Sequence, residues 1–370
     1  MNICYLANAA SIHTQRWATH FSKRGHKVTV LSLTNANIPA VTVRWIGPDA
    51  NARGPVAYLL CLPRLRRALR ELKPDILHAH YAGGYGMAAA LTGFHPLVTT
   101  AMGSDVLIVA RDSRVSRQVI RHSLRQADLV TSCSRHMTTV IEDLGIKPER
   151  LLTLPYGVDA GVFHPGIRQQ LASPASSPLI VSTRTLEPVY NVELLIEALP
   201  GVMKEFPRAK TLIIGDGRER AKLQARAQEL GIARYVTFLG KKRPVEIADY
   251  LSAADVFVST ALSDGNNISL NEAMACGAFP IATDIPANRE WINHGENGFL
   301  TGVHDPAALT AWLNRALAEK GLRDRAADSN WSIIQQRGLW SAAMETIETQ
   351  YRNLTSNKGR PEPIRLATGV

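Results

Sequence analysis

Residues 259–277 read Ser259-Thr260-Ala261-Leu262-Ser263-Asp264-Gly265-Asn266-Asn267-Ile268-Ser269-Leu270-Asn271-Glu272-Ala273-Met274-Ala275-Cys276-Gly277. A short apolar run, Val256–Ser259, enters a polar loop containing glycine, and the loop leads into the helix-like segment Ser269–Cys276. Strand, loop and helix in that order form the half-unit of a parallel sheet, because a parallel strand needs a crossover to return. In open parallel sheets ligands sit where strand ends turn into helix starts, since the first amides of a helix have no intrahelical partner and face an anion favourably. Gly265 and the asparagines after it permit tight or left-handed turns that aim successive amides at one point. The stretch therefore reads as a phosphate cradle. Asp264 stands before the helix and Glu272 about one turn inside it, so both carboxylates are expected to face a single ligand.

The same alternation continues on either side. Leu179–Thr183, Thr211–Gly215, Val236–Leu239, Phe279–Ala282 and Gly298–Thr301 are short apolar runs separated by helix-like segments. A separate series, Ile3–Ala7, Val28–Leu33, Ile76–Ala79, Leu97–Thr100, Leu129–Cys133 and Leu151–Leu154, fills the first half. Both series predict parallel strands with crossover helices, hence two Rossmann-like α/β domains. Between them, residues 164–178 hold Pro165, Gly166, Pro174, Pro178 and several serines, the composition of a connector. The expected boundaries are a first domain over 1–165, a linker over 166–178 and a second domain over 179–331. A final helical pattern, 332–352, carries Ile333, Ile334, Leu339, Trp340, Met344 and Ile347, and 353–370 reads as a disordered tail.

Composition agrees with this plan. A chain of 370 residues exceeds one ordinary core and suits two. Its 45% apolar and 20% charged residues are those of a soluble globular protein. No apolar run reaches the roughly eighteen residues of a membrane span. Met1–Leu6 lacks a basic flank and a small-residue cleavage site, so it reads as a first strand, and a cytoplasmic location is expected. Cys4, Cys61, Cys133 and Cys276 lie far apart with no CxxC pair, as reduced buried thiols would. With neither Asp-x-Asp nor a closely spaced His or Cys set, no metal is expected.

The net charge of +10 points to an anionic partner. Arg64, Arg66, Arg67, Arg70 and Lys73 share a leucine-striped helical stretch, and Arg111, Arg114, Arg117, Arg121 and Arg125 step by three or four residues. Two readings stand: solvated faces of packed helices, or a surface resting on anionic lipid at the inner face of a membrane. Nucleic acid is not expected, since aromatic residues are only 6% of the chain and none interleave with these basic runs.

The segment from Asp264 to Gly277 resembles the E-x7-E signature and following EAMACG stretch of the family-4 retaining glycosyltransferases with the GT-B fold. Further pieces match in order: Arg24-Gly25-His26-Lys27-Val28, Pro74-Asp75-Ile76-Leu77-His78-Ala79-His80, Pro155-Tyr156-Gly157-Val158-Asp159, Gly215-Asp216-Gly217, Phe238-Leu239-Gly240, Ala254-Asp255-Val256, and Glu290 through Gly298-Phe299-Leu300. The likeness covers nearly the whole chain. It implies an α/β GT-B fold, two Rossmann-like domains whose parallel sheets face a cleft, with the C-terminal helix crossing back to the first domain. It further implies a nucleoside-diphosphate sugar, of UDP or GDP type, as co-substrate without other cofactor, and metal-independent transfer with retention. The implied acceptor is a glycan, a lipid-linked molecule or a small molecule, as in surface polysaccharide assembly.

Carried over by position, the resemblance gives Glu272 the ribose hydroxyls, and the backbone of Asn266, Asn267, Ile268 and Ser269 the distal phosphate and sugar. Asp264 stands where the family usually has glutamate and would touch sugar hydroxyls. Lys242, after Phe238-Leu239-Gly240, matches the loop beside the base, and Gly215 joins the donor site through its own motif. Arg184 matches the arginine that neutralises the leaving diphosphate. Tyr190 stands where its lysine partner is expected, so another cation, Lys241, Lys242 or Arg289, has to approach the phosphates, or the enzyme is slow or its donor unusual. In the first half, Ser11 lies in a loop where relatives have paired glycines. His80 meets a sugar or is structural, and Asp105, where relatives place a pocket histidine, is expected to grip an acceptor hydroxyl. A Rossmann oxidoreductase would need a GxGxxG turn, which neither Asn8–Thr14 nor Gly215–Gly217 supplies. A weakly catalytic sugar- or lipid-binding relative and a nucleotide-sugar isomerase remain as alternative readings.

Overall fold

A computed structural model describes residues 1–48, 54–167 and 177–356. Most of the expected connector, 168–176, and most of the expected tail, 357–370, lie outside the described residues. The chain divides into two compact units, Met1–Leu154 with the described residues from Glu345 onward, and Pro155–Met344.

The first unit is built on β1 (Asn2–Leu6), β2 (Lys27–Ser32), β3 (Thr42–Trp45), β4 (Ile76–His80), β5 (Leu97–Thr100), β6 (Leu129–Ser132) and β7 (Leu151–Thr153). They form one sheet in the order β3-β2-β1-β4-β5-β6-β7, every pair parallel. The second unit holds β8 (Leu179–Ser182), β9 (Lys210–Ile214), β10 (Val236–Gly240), β11 (Val256–Ser259), β12 (Phe279–Thr283) and β13 (Phe299–Thr301), ordered β10-β9-β8-β11-β12-β13 and also parallel. Central strands such as Ile76–His80 and Phe279–Thr283 are buried along their whole length, as strands covered by helices on both faces must be. The sequence reading misses β3, an edge strand whose residues are half-exposed and whose Thr-Val-Arg-Trp pattern offers no apolar run.

Each sheet reverses its strand order once, between β1 and β4 in the first and between β8 and β11 in the second. Loops that leave adjacent strands in opposite directions open a crevice at the strand ends. Arg184 follows β8 and Asp264–Ser269 follows β11, while Ser11 follows β1 and His80 ends β4. The topology thus brings these residues to the reversal point of one sheet or the other, whereas Gly215, Lys242 and Asp105 follow β9, β10 and β5, away from it.

The C-terminal pattern forms two helices, Lys320–Arg337 and Trp340–Ser356, instead of one over 332–352. The break at Gly338 is held by Val158, whose amide donates to Gly338 O at 2.7 Å and whose carbonyl accepts from Trp340 N at 2.9 Å. The latter half of the last helix belongs to the first unit. There Tyr351 is fully buried and hydrogen-bonded to His78 Nδ1, and Glu348 pairs with Arg24 at 2.7 Å and His26 at 3.0 Å. Helical structure therefore extends to Ser356, past the expected start of the tail.

Candidate active site

In the second unit the loop after β11 is organised by Asn267. It caps the helix Ile268–Ala275 through Oδ1, which accepts Leu270 N at 3.2 Å, while Nδ2 donates to Ser259 Oγ and Asn288 Oδ1, both at 3.0 Å. The same Oδ1 accepts from Arg184 Nη1 at 2.8 Å, and Arg184 Nη2 meets Asp264 Oδ2 at 2.6 Å. A guanidinium from the end of β8 is thereby clamped to the loop after β11. Arg184 is only 8% exposed and its Nε has no partner among the described residues. Asn266 is 5% exposed, and neither atom of its side-chain amide is satisfied. Orphaned buried polar atoms cost about 1–3 kcal/mol each, a cost that a polar ligand removes. Sequence reasoning placed only the backbone of Asn266 at the site; the burial that singles out its side chain arises from long-range packing.

The predicted residues around this clamp divide. Tyr190 packs its ring under the Arg184 guanidinium, Cζ lying 4.2 Å from the ring centroid. Its backbone is tied to the β11 loop, since Thr260 Oγ1 donates to Tyr190 O at 3.2 Å and Leu262 N to Val189 O at 2.8 Å. Ser269 Oγ donates to Thr183 O at 2.8 Å and so fastens the helix to the end of β8. Glu272 is partly buried in the middle of the same helix. Gly215, at φ +143°, lies so close to the Arg184 backbone that a Cβ would stand 2.0 Å from Arg184 O. That position demands glycine for packing of the two strand-end loops, a different reason from ligand approach. Of the alternative cations, Arg289 is held bidentately by Asp284, at 2.5 and 2.9 Å, and Lys242 rests 3.7 Å from Glu246.

The first unit's reversal point differs. His80 is buried, 4% exposed, beside Thr14, whose hydroxyl lies 3.5 Å from Nδ1, and Nε2 has no partner among the described residues. Burial pushes its pKa down to about 3, with His13 adding a smaller effect, so the ring is neutral. Behind it His78 bonds Thr100 Oγ1 at 2.6 Å and stands edge-on to His80, ring centroids 4.8 Å apart. Tyr81, directly after His80, adopts φ +84°, a strained state for an aromatic residue that persists where surrounding structure imposes it. Asp105 requires a correction. Its carboxylate is fully buried and takes hydrogen bonds from the amides of Ala82, Met102, Gly103 and Val106 at 2.7–3.2 Å. With both oxygens engaged by backbone amides it organises the loop after β5 and is not placed as a free grip for an acceptor hydroxyl. Burial raises its pKa against the pull of those amides. Ser11 begins the helix Ile12–Lys23 without a side-chain cap, and the neighbouring amides of Ala9 and Ala10 are bonded to Ser32 Oγ and Asn8 Oδ1.

The two basic helices are unlike each other. On Leu62–Leu72, Arg64 donates to Gly47 O and lies over Trp45, Arg66 reaches Leu91 O at 2.7 Å, and Arg67 pairs with Glu71 at 2.8 Å. Around Arg114–Gln126, Val115 is 74% and Ile108 is 41% exposed among arginines. No described helix is long and apolar enough to cross a membrane.

Comparison with known proteins places these features in a family. The profile described as "Glycosyl transferases group 1" matches residues 164–330, and that described as "Glycosyl transferase 4-like" matches residues 2–134. D-inositol 3-phosphate glycosyltransferase of Acidothermus cellulolyticus is 24% identical over 409 residues, covering 99% of this chain and 90% of that protein. Sucrose-phosphate synthase of Thermosynechococcus elongatus superposes with a TM-score of 0.83 at 19% identity, over 97% of this chain and 100% of that one. HepE of Anabaena, solved with UDP-glucose, superposes with a TM-score of 0.78 at 22% identity, over 96% of this chain and 100% of its own.

Proposed function

The chain belongs to the family-4 type of group 1 glycosyltransferases and has the GT-B fold, and from that premise we propose that it transfers a sugar from a nucleoside diphosphate with retention. Donor recognition is assigned to the second unit. The observation that carries this reading is the convergence of Arg184 and the Asp264–Ser269 loop at the sheet's reversal point, with the Asn266 amide and Arg184 Nε left unsatisfied. Ile268 N turns back to Asn266 O and Leu270 N is capped, which leaves the amides of Gly265, Asn266 and Ser269 for phosphate oxygens. Glu272 binds the ribose, and Lys242 lies by the base. As the glycosidic bond breaks, charge grows on the leaving diphosphate, and preorganised donors lower the barrier because they need not reorient. Asp264 offsets the Arg184 charge, so the helix dipole and loop amides supply much of the stabilising field. No step in this scheme uses a metal.

Acceptor recognition is assigned to the first unit, through neutral His80 and the loop at Ser11. A neutral imidazole with a free Nε2 accepts or donates one hydrogen bond to a hydroxyl without an electrostatic preference for an anion. The acceptor is a glycan, a lipid-linked sugar or a small polyol. Ile108 and Val115 beside Arg111, Arg114 and Arg117 suit peripheral contact with an anionic membrane at the cytoplasmic face. Flotation on anionic but not neutral liposomes is expected, and equal behaviour on both would remove that part of the reading. For the activity itself, purified protein incubated with UDP-, GDP- and ADP-sugars is expected to release nucleoside diphosphate from one of them. Silence across the panel would favour a binding relative, and conversion of the nucleotide sugar without release would indicate isomerisation.

A further inference from the structure

We propose that the first unit carries a second ligand site, for a phosphorylated small molecule, at the end of its sheet opposite to His80 and Ser11. A cavity of about 930 Å³ opens there, where β4 and β5 begin, lined by Arg66, Arg70 and Lys73 and by the residues just before each strand, including Asp75 and His95. It is large enough for a sugar phosphate or a mononucleotide. Arg66 and Arg70 stand four residues apart on one face of the helix Leu62–Leu72, and Lys73, which ends that helix in a left-handed conformation (φ +42°), lines the same cavity.

The walls are fixed without using up that charge. Arg66 spends one donor on Leu91 O at 2.7 Å, which ties the helix to the loop before β5. Phe94 N is held by Thr92 Oγ1 at 3.1 Å, and His95 Nδ1 by Asp128 Oδ2 at 2.7 Å. Asp75, the cavity's one carboxylate, accepts Asn2 N at 2.7 Å. The Arg70 guanidinium and Lys73 ammonium form neither ion pair nor hydrogen bond with any described residue. Two uncommitted cations and the remaining donors of a third thus converge on a concave space with an apolar wall from Leu69, Phe94 and Pro96. Cations with a spare donor set recognise phosphate oxygens, and the apolar wall suits the face of a sugar ring or a base. A flat bilayer does not enter a concavity, so the soluble anion is the occupant. The site draws on no residue of the donor clamp and stands independently of the donor assignment.

Titration calorimetry of the full chain with inorganic phosphate, a hexose 6-phosphate and AMP tests this, the last two separating sugar from nucleotide as the carrier. Saturable binding of one organic phosphate is expected, weakened roughly tenfold for each cation removed in Arg70→Gln and Lys73→Gln and recovered in the charge-retaining pair Arg70→Lys/Lys73→Arg. Both positions are exposed, and an unchanged thermal midpoint of each variant establishes that it folds. Equal affinity in the neutralised variants, loss of binding in Arg184→Gln instead, or no saturable binding of any probe would overturn the proposal. So would cation-dependent adsorption to anionic vesicles without binding of the soluble phosphates, which would make this face a lipid contact.

Discussion

Tyr190 occupies the position where family-4 relatives are expected to carry a lysine, and its ring lies 4.2 Å from the Arg184 guanidinium. A phenol adds no positive charge, but a ring face restrains a guanidinium and attracts it by about 1–2 kcal/mol when partly desolvated. In the proposed reaction the residue substitutes orientation for charge. Tyr190→Phe is expected to keep kcat within about twofold, while Tyr190→Leu lowers kcat by roughly tenfold with a smaller change in donor KM, because the arginine acts most strongly in the transition state. Steady-state kinetics check this, and equal losses in both variants would place the role in the hydroxyl. His80 allows a prediction in pH. Its folded pKa, about 3, lies below the ordinary 6.5, so the stability it contributes is complete above pH 6.5 and is lost as pH falls, the unfolded chain taking up the proton first. The loss accrues at about 1.4 kcal/mol per pH unit. Between pH 6.5 and 5 the stability gap between wild type and His80→Gln, read from urea unfolding, is expected to shrink by about 2 kcal/mol. A constant gap would show that the ring is not held neutral.

Among elements, the ends of β8, β9 and β11 build the proposed donor site by close approach of their loops. Gly215 sits at φ +143° with no room for a Cβ against Arg184 O, and Leu186 N reaches Asp216 O at 3.1 Å in the same contact. Gly215→Ala is expected to shift the Arg184 loop, lowering the thermal midpoint and activity together; an active variant of unchanged midpoint would refute the packing role. The strands were legible beforehand because buried parallel strands are continuous apolar runs. β3 was not, since an edge strand half in water carries no such run. Arg184 and Asp264 could be placed at strand ends from the sequence, and Glu272 on the helix that follows, which is where the structure has them. The geometry around them was not legible: that Arg184 would pair with Asp264 and Asn267 depends on contacts eighty or more residues apart in the chain. Asp105 misled for a related reason. A carboxylate after a strand looks like a ligand group until the amides that enclose it are seen.

At the scale of the molecule, two parallel sheets repeat one topological device with different chemistry. The second unit's reversal point holds a clamped arginine, a capped helix start and unsatisfied amide atoms. The first unit's holds a neutral histidine backed by a buried hydrogen-bonded network from His78 to Thr100 and Thr131. An anionic donor suits the former and hydroxyl-bearing acceptors the latter, which is the division of labour proposed. Positive charge is plentiful over the chain, yet much of it on the helix Leu62–Leu72 is spent on carbonyls and Glu71, so net charge alone is a poor guide to where anions bind. The most direct measurement is a structure of the protein with a bound UDP- or GDP-sugar. The diphosphate is predicted within hydrogen-bonding distance of the Arg184 guanidinium and the amides of Gly265, Asn266 and Ser269, with the ribose on Glu272. A nucleotide bound elsewhere, with Arg184 still engaged only by Asp264 and Asn267, would contradict the account.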